Sequence, residues 1–128
     1  MYDFLTAVSE SFELVLFDNG QSQFAKEIVN NIIEQSPSKT NYFSYVLTKE
    51  HCSTNESHHD VKNLELFTGA GSNREMKDCL IVDNSIFCFQ KQITNGIVIN
   101  KFEDIENDDW LPCLQKYLVE KFGKMKED

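Results

Sequence analysis

Cys79-Leu80-Ile81-Val82-Asp83-Asn84-Ser85 is a short nonpolar run that stops abruptly in three polar residues. Its apolar side chains are consecutive rather than alternating, so it reads as a strand covered on both faces, as in a parallel sheet. In an open parallel sheet, ligands collect outside the carboxyl ends of the strands, which puts Asp83 and Asn84 where chemistry would be done. Asp and Asn are also ordinary turn formers and helix caps. For this pair the functional reading is preferred, because composition and position both suit a strand-end site.

Two further runs share this form. Glu13-Leu-Val-Leu-Phe17 ends in Asp18-Asn19-Gly20, and Gly96-Ile-Val-Ile99 precedes an acidic stretch from Glu103 to Asp109. Tyr42 to Leu47 is aromatic and β-branched enough for another strand. Between the strands lie helical patterns. Phe4, Leu5 and Val8 fall at helical spacing within Tyr2 to Ser11, and Phe24, Ile28 and Ile32 run beside Ala25, Val29 and Ile33 as two i, i+4 rows that stop before Ser36-Pro37. A closing helix from Trp110 to about Gly123 points Leu111, Leu114, Leu118 and Val119 inward. Lys49 to Asp60 and Thr68 to Asn73 read as exposed loops, the first with hairpin character. Strands alternating with helices imply an α/β fold with a mainly parallel sheet, and 128 residues suffice for one domain, 1–128. Asp18 alone is read as a turn former; Lys62, in Asp60-Val-Lys-Asn-Leu64, is a cation that a loop brings to the same strand-end edge.

Charge removes one class of function. With 21 acidic against 12 basic residues the net charge is −9, which repels polyanions, so no nucleic-acid partner is expected. The four cysteines at 52, 79, 88 and 113 form no CxxC pair and no dense framework, which points to a reducing, intracellular compartment. No run approaches the roughly 18 apolar residues of a membrane span. The first ten residues, with Asp3 and Glu10, lack the basic start of a targeting segment.

Other groupings carry less. His51, Cys52, His58 and His59 lie close together but fit no common zinc spacing, so they read as solvated loop residues. Gly69-Ala-Gly71 lacks the Lys-Ser/Thr of a phosphate loop. Trp110 and the phenylalanines read as core.

The pieces resemble, in order and over nearly the whole chain, the small CTD phosphatases, also called NLI-interacting-factor-like phosphatases, and the related presequence receptor of the mitochondrial inner-membrane translocase. The resemblance is carried by Tyr2-Asp-Phe-Leu5, Phe12-Glu-Leu-Val-Leu-Phe17, Phe43-Ser-Tyr45, Lys49-Glu-His-Cys52, Val61-Lys-Asn-Leu64, Ile81-Val-Asp-Asn-Ser85, Asn95-Gly-Ile97 and Leu111-Pro-Cys-Leu114. It implies a haloacid-dehalogenase-like Rossmannoid three-layer sandwich, and a magnesium-dependent aspartyl phosphatase whose nucleophile and general acid sit on a DxDxT strand. These 128 residues contain no DxDxT, so the expected domain is N-terminally incomplete and lacks the usual first central strand.

By the same resemblance, Asp18 stands at the phosphoryl-binding Ser/Thr position, with Asn19 beside it, Lys62 matches the phosphate-binding lysine, and Asp83 matches the magnesium ligand, with Asn84 beside it. A carboxylate at a dianion's position adds repulsion that one Lys62 does not balance. The expectation is therefore a vestigial phosphate site (Asp18, Asn19, Lys62) and a vestigial metal site (Asp83, Asn84), with no catalytic residue and no cofactor unless the site is completed, when magnesium would serve. The role expected is a non-catalytic, protein-binding subunit of a larger complex. The alternative is a phosphoserine or phosphothreonine phosphatase whose catalytic strand comes from a further N-terminal segment or another chain. A mitochondrial setting follows by analogy, with a nuclear or cytoplasmic one as the alternative.

Overall fold

A computed structural model describes residues 1–69, 71–99 and 110–122, with Phe122 described by its backbone alone. The contacts separate into two compact units, one holding Met1–Thr48 and the last described helix, the other holding the described residues of Lys49–Lys101.

In the first unit the chain runs α1 (Tyr2–Ser9), β1 (Leu14–Phe17), α2 (Ser22–Gln35), β2 (Phe43–Leu47) and α3 (Trp110–Phe122). Parallel strands cannot be joined by a tight turn, and α2 supplies the crossover that lets β1 and β2 pair in parallel, with Val15 opposite Tyr45 and Phe17 opposite Leu47. The helix stops where Pro37 cannot continue it. There the Ser36 hydroxyl donates to the Ile33 carbonyl at 2.8 Å and accepts from the Thr40 amide at 2.9 Å. Among the described residues Leu5, Val8, Ala25, Val29, Leu114 and Leu118 are the buried apolar side chains of this unit, and α1 packs on α3. Pro112 is tolerated because it lies in the first turn of α3, where the amide has no helical partner to lose.

The second unit opens with a 3-10 turn, Lys49–His51, and a hairpin of β3 (Ser53–Thr54) with β4 (Asp60–Val61). Asn55 organises the hairpin loop: its side-chain oxygen accepts from the Ser57 and His59 amides, both at 2.9 Å. Further 3-10 turns, Leu64–Phe67 and Met76–Asp78, lead to β5 (Ile81–Asp83), and β6 (Gly96–Val98) pairs with it in parallel, Asp83 opposite Val98. The crossover is a run of 3-10 turns, Ile86–Asn95, whose backbone leaves helical geometry at Phe89 and Gln92. Phe89, 1% exposed, centres a core with Leu64, Ile81 and Cys88. A side chain at Gly96 would meet the Phe89 ring at 2.1 Å, so only glycine lets β6 pass so close.

The α/β class and the parallel pairing agree with the sequence reading. Among the described residues β1 pairs with β2 and β5 with β6, both in parallel, and β3 pairs with β4 antiparallel. Several details are corrected. The strands are not buried on both faces: Val98 is 49% exposed, and Val82 is exposed too. Of the two apolar rows on α2 only the Ala25–Val29 row is buried, and Phe24 is 60% exposed. Val119 is exposed, because it lies one helical step (about 100°) from the buried Leu114–Leu118 row. Trp110, at the start of α3, is 39% exposed, and Phe87 is also exposed, so neither is core. The acidic stretch from Glu103 to Asp109 and the helix end at Gly123 lie outside the described residues.

Candidate functional site

Asp83 is the last residue of β5, and both of its carboxylate oxygens are engaged. Oδ1 accepts from the Ser85 amide at 3.0 Å, the short-range turn that Asp commonly makes two residues on. Oδ2 accepts from the Lys62 ammonium at 2.7 Å, within an ion pair whose side chains are only 8% and 10% exposed. Lys62 follows directly on β4 and reaches Asp83 across 21 residues of sequence. Its position is set by its own backbone, since the Lys62 amide donates to the Cys88 carbonyl at 2.6 Å. The Cys88 amide in turn donates to the Ser85 carbonyl at 3.2 Å. The circuit is thus closed from Lys62 to Asp83, to Ser85, to Cys88 and back to Lys62.

The segment after Lys62 is held as firmly. The buried Gln92 accepts from the Leu64 amide at 3.3 Å through Oε1 and donates through Nε2 to Asn63 Oδ1 at 2.8 Å. Asn95 donates to the carbonyls of Met76 at 2.7 Å and Cys79 at 2.9 Å, tying the start of β5 to the start of β6. Burial, and then the neighbouring Asp83 carboxylate, push the Cys88 thiol above its ordinary pKa, with Lys62 opposing. Cys88 and Gln92 were missed by the sequence reading, which assigned no element to residues 86–95. The trace they leave is slight: Cys88, Phe89 and Gln92 are the buried positions of a stretch whose other residues are mostly exposed.

Asp18 and Asn19 belong to the first unit, just after β1. Asp18 Oδ1 accepts from the Gly20 amide at 3.0 Å, the turn expected of it. Its Oδ2 is buried and has no hydrogen-bond partner among the described residues. Asn19 and Asn84 are exposed. In the hairpin region His51, His58 and His59 are exposed, and the His59 ring stacks on Phe87 with centroids 4.4 Å apart. No three His, Cys, Asp or Glu side chains converge on a common point among the described residues. The four cysteines are free thiols. No described helix is long and apolar enough to cross a membrane.

The site is thus a buried lysine paired with a strand-end aspartate on an α/β scaffold with parallel strands. The model of the NLI interacting factor-like phosphatase family matches residues 1–128, and the chain belongs to that family. It is 30% identical over 116 residues to CTD small phosphatase-like protein 2 of Dictyostelium discoideum, covering 91% of this chain and 18% of that protein. It is 33% identical over 115 residues to the mitochondrial import inner membrane translocase subunit TIM50 of Yarrowia lipolytica, covering 90% of this chain and 22% of that one. The chain thus spans about a fifth of the length of these relatives.

Phosphatases of this superfamily generally use magnesium. Mg²⁺ demands about six oxygen ligands in near-octahedral geometry. Here Asp83 offers one carboxylate, each oxygen of which accepts one hydrogen bond, Oδ2 from an ammonium, and keeps a second lone pair. No group of three His, Cys, Asp or Glu joins it among the described residues, so these residues alone do not complete magnesium's coordination shell.

Proposed function

We propose that this chain is a phosphatase-like domain that acts by binding other proteins, as a non-catalytic subunit of a larger assembly. The observation that carries the proposal is the Lys62–Asp83 pair: the cation that would meet a phosphoryl dianion is already neutralised at 2.7 Å. A phosphate ester gains little from a neutral pair, because the attraction that concentrates a dianion comes from uncompensated positive charge. Asp18 supports the same reading from the first unit, since it keeps a carboxylate where the family resemblance calls for a hydroxyl. Asp18, Asn19 and Lys62 are proposed as remnants of a phosphate site, and Asp83 and Asn84 as remnants of a metal site. A single family model spans both compact units, which supports treating residues 1–128 as parts of one domain.

Kinship with a translocase subunit supports a role in a complex. A mitochondrial setting is part of the proposal by that analogy alone, with the nucleus or cytoplasm as the alternative. The competing reading, favoured by the relative named for phosphatase activity, is hydrolysis of phosphoserine or phosphothreonine with magnesium and with a DxDxT strand brought in by another segment. The test is native mass spectrometry of the complex isolated from its source, followed by an aryl-phosphate assay with Mg²⁺ on the same sample. A stoichiometric partner without turnover is expected. Magnesium-dependent turnover would establish the competing reading.

A further inference from the structure

We propose that Lys62 is the resident counter-cation of Asp83, its ammonium filling the place of a divalent metal, so that this unit keeps a buried strand-end carboxylate without binding magnesium. The proposal builds on reading Asp83 as a strand-end site, and it stands apart from the question of turnover. Three observations carry it. The pair is short and almost wholly removed from water, at 2.7 Å with side chains 8% and 10% exposed. Both carboxylate oxygens have protein donors, since Oδ1 accepts from the Ser85 amide and Oδ2 from the ammonium. The lysine is anchored at both ends, since its amide donates to the Cys88 carbonyl and its ammonium to Asp83.

A divalent cation competing for Oδ2 would have to approach a fixed positive charge at close range in a poorly solvated site, where repulsion is strong. Displacing the ammonium would take a charge from its buried carboxylate partner, while the Lys62 backbone stays fixed on the Cys88 carbonyl. The lysine therefore acts against metal binding as much as for carboxylate burial. Removing its charge lifts that repulsion and leaves Asp83 as the anchor for a cation that draws its remaining ligands from water.

The 128-residue chain and three variants, Lys62→Met, Asp83→Asn and the double variant, are titrated with Mn²⁺ while the free-ion signal is followed by electron paramagnetic resonance. Their melting temperatures are measured with and without millimolar Mg²⁺. The original chain is expected to match Asp83→Asn in Mn²⁺ uptake, with a melting temperature that Mg²⁺ does not move. Lys62→Met is expected to melt lower, to take up Mn²⁺ about tenfold or more tightly than the original chain, and to regain melting temperature with Mg²⁺, an effect lost in the double variant. If Lys62→Met does not fold, Lys62→Gln, which retains a hydrogen-bond donor, takes its place. A Mn²⁺ site in the original chain that Asp83→Asn abolishes would overturn the proposal. So would a folded, charge-neutral variant that gains no site. Bound manganese without turnover would leave the protein-binding reading standing, and turnover without an Asp83-dependent site would remove that reading while leaving this one.

Discussion

Asp18 and Asp83 end their strands in the same way and are treated differently by the fold. Each follows an apolar run, and each bends its chain by accepting, at 3.0 Å, the amide two residues on, Gly20 in one case and Ser85 in the other. The second oxygen separates them. At Asp83 it meets the Lys62 ammonium, whereas at Asp18 it is buried with no hydrogen-bond partner among the described residues. A turn two residues long is a local matter. A counter-ion 21 residues away is recruited only when the chain folds.

The largest expected effect breaks this comparison at its strongest point. Lys62→Met leaves Asp83 as an uncompensated buried charge and should destabilise the protein by about 3–5 kcal/mol, read as a lower midpoint in urea denaturation. Lys62→Met combined with Asp83→Leu should recover much of that loss, because charge and counter-charge leave together. A Lys62→Met loss well under about 1 kcal/mol, the range of surface pairs, would erase the difference between the two carboxylates.

Next in size is the packing that holds β6 beside β5, and so keeps Asp83 in place. Gly96→Ala drives a methyl group into the Phe89 ring and should cost about 1–3 kcal/mol. Faster amide exchange throughout β5 and β6 is the signature, and Phe89→Leu in the same chain should relieve part of it by making room. Unchanged exchange in Gly96→Ala would mean that the ring moves aside freely.

The opposite sign is expected at the other carboxylate. Asp18→Ser retains an oxygen able to accept from Gly20 and removes the unpartnered one, so it should be neutral or stabilise by up to about 1 kcal/mol. A marked fall in melting temperature would show that Asp18 has a partner that this comparison denies it.

The smallest effect sharpens the environment of the pair through its neighbour. The Cys88 thiol has a raised pKa in the folded chain, chiefly from burial and then from Asp83, against an ordinary 9.0. Protonation is thus favoured by folding. The resulting stability is complete below the unfolded value and is lost as pH rises through the folded one. Stability should therefore fall as pH rises above the ordinary thiol value of 9.0, and Cys88→Ala should flatten that decline. An identical slope in both proteins would assign the alkaline loss to other groups, such as Cys79, which burial also raises.

The α helices and the strands of the parallel pairs were legible because their signals are short-range: consecutive apolar residues in strands, helical spacing in α1 and α2, and a proline stop after Ser36. Lys62, Asp83, Asn84, Asp18 and Asn19 could be singled out because polar residues after a strand, and one lysine in a family-like stretch, are visible without coordinates. Residues 86–95 were not legible. A run of 3-10 turns kinked at Phe89 and Gln92 has neither a period of two nor one of 3.6 for a pattern to follow. The exposure of Phe24, Val119, Val82 and Val98 was equally hidden, since an apolar residue states only that it can be buried.

Alone, the amino-acid sequence determined the α/β class, the acidic balance, the strand-end turns at Asp18 and Asp83, and the family, since each depends on residue type or on neighbours a few positions apart. Only the tertiary structure decided that Lys62 is spent on Asp83, that Cys88 and Gln92 brace the segment carrying that lysine, and that glycine is required at 96 by the Phe89 ring. Each of these is a contact between residues at least seven positions apart. Whether such contacts form depends on the packing of all the intervening chain, which no local pattern encodes.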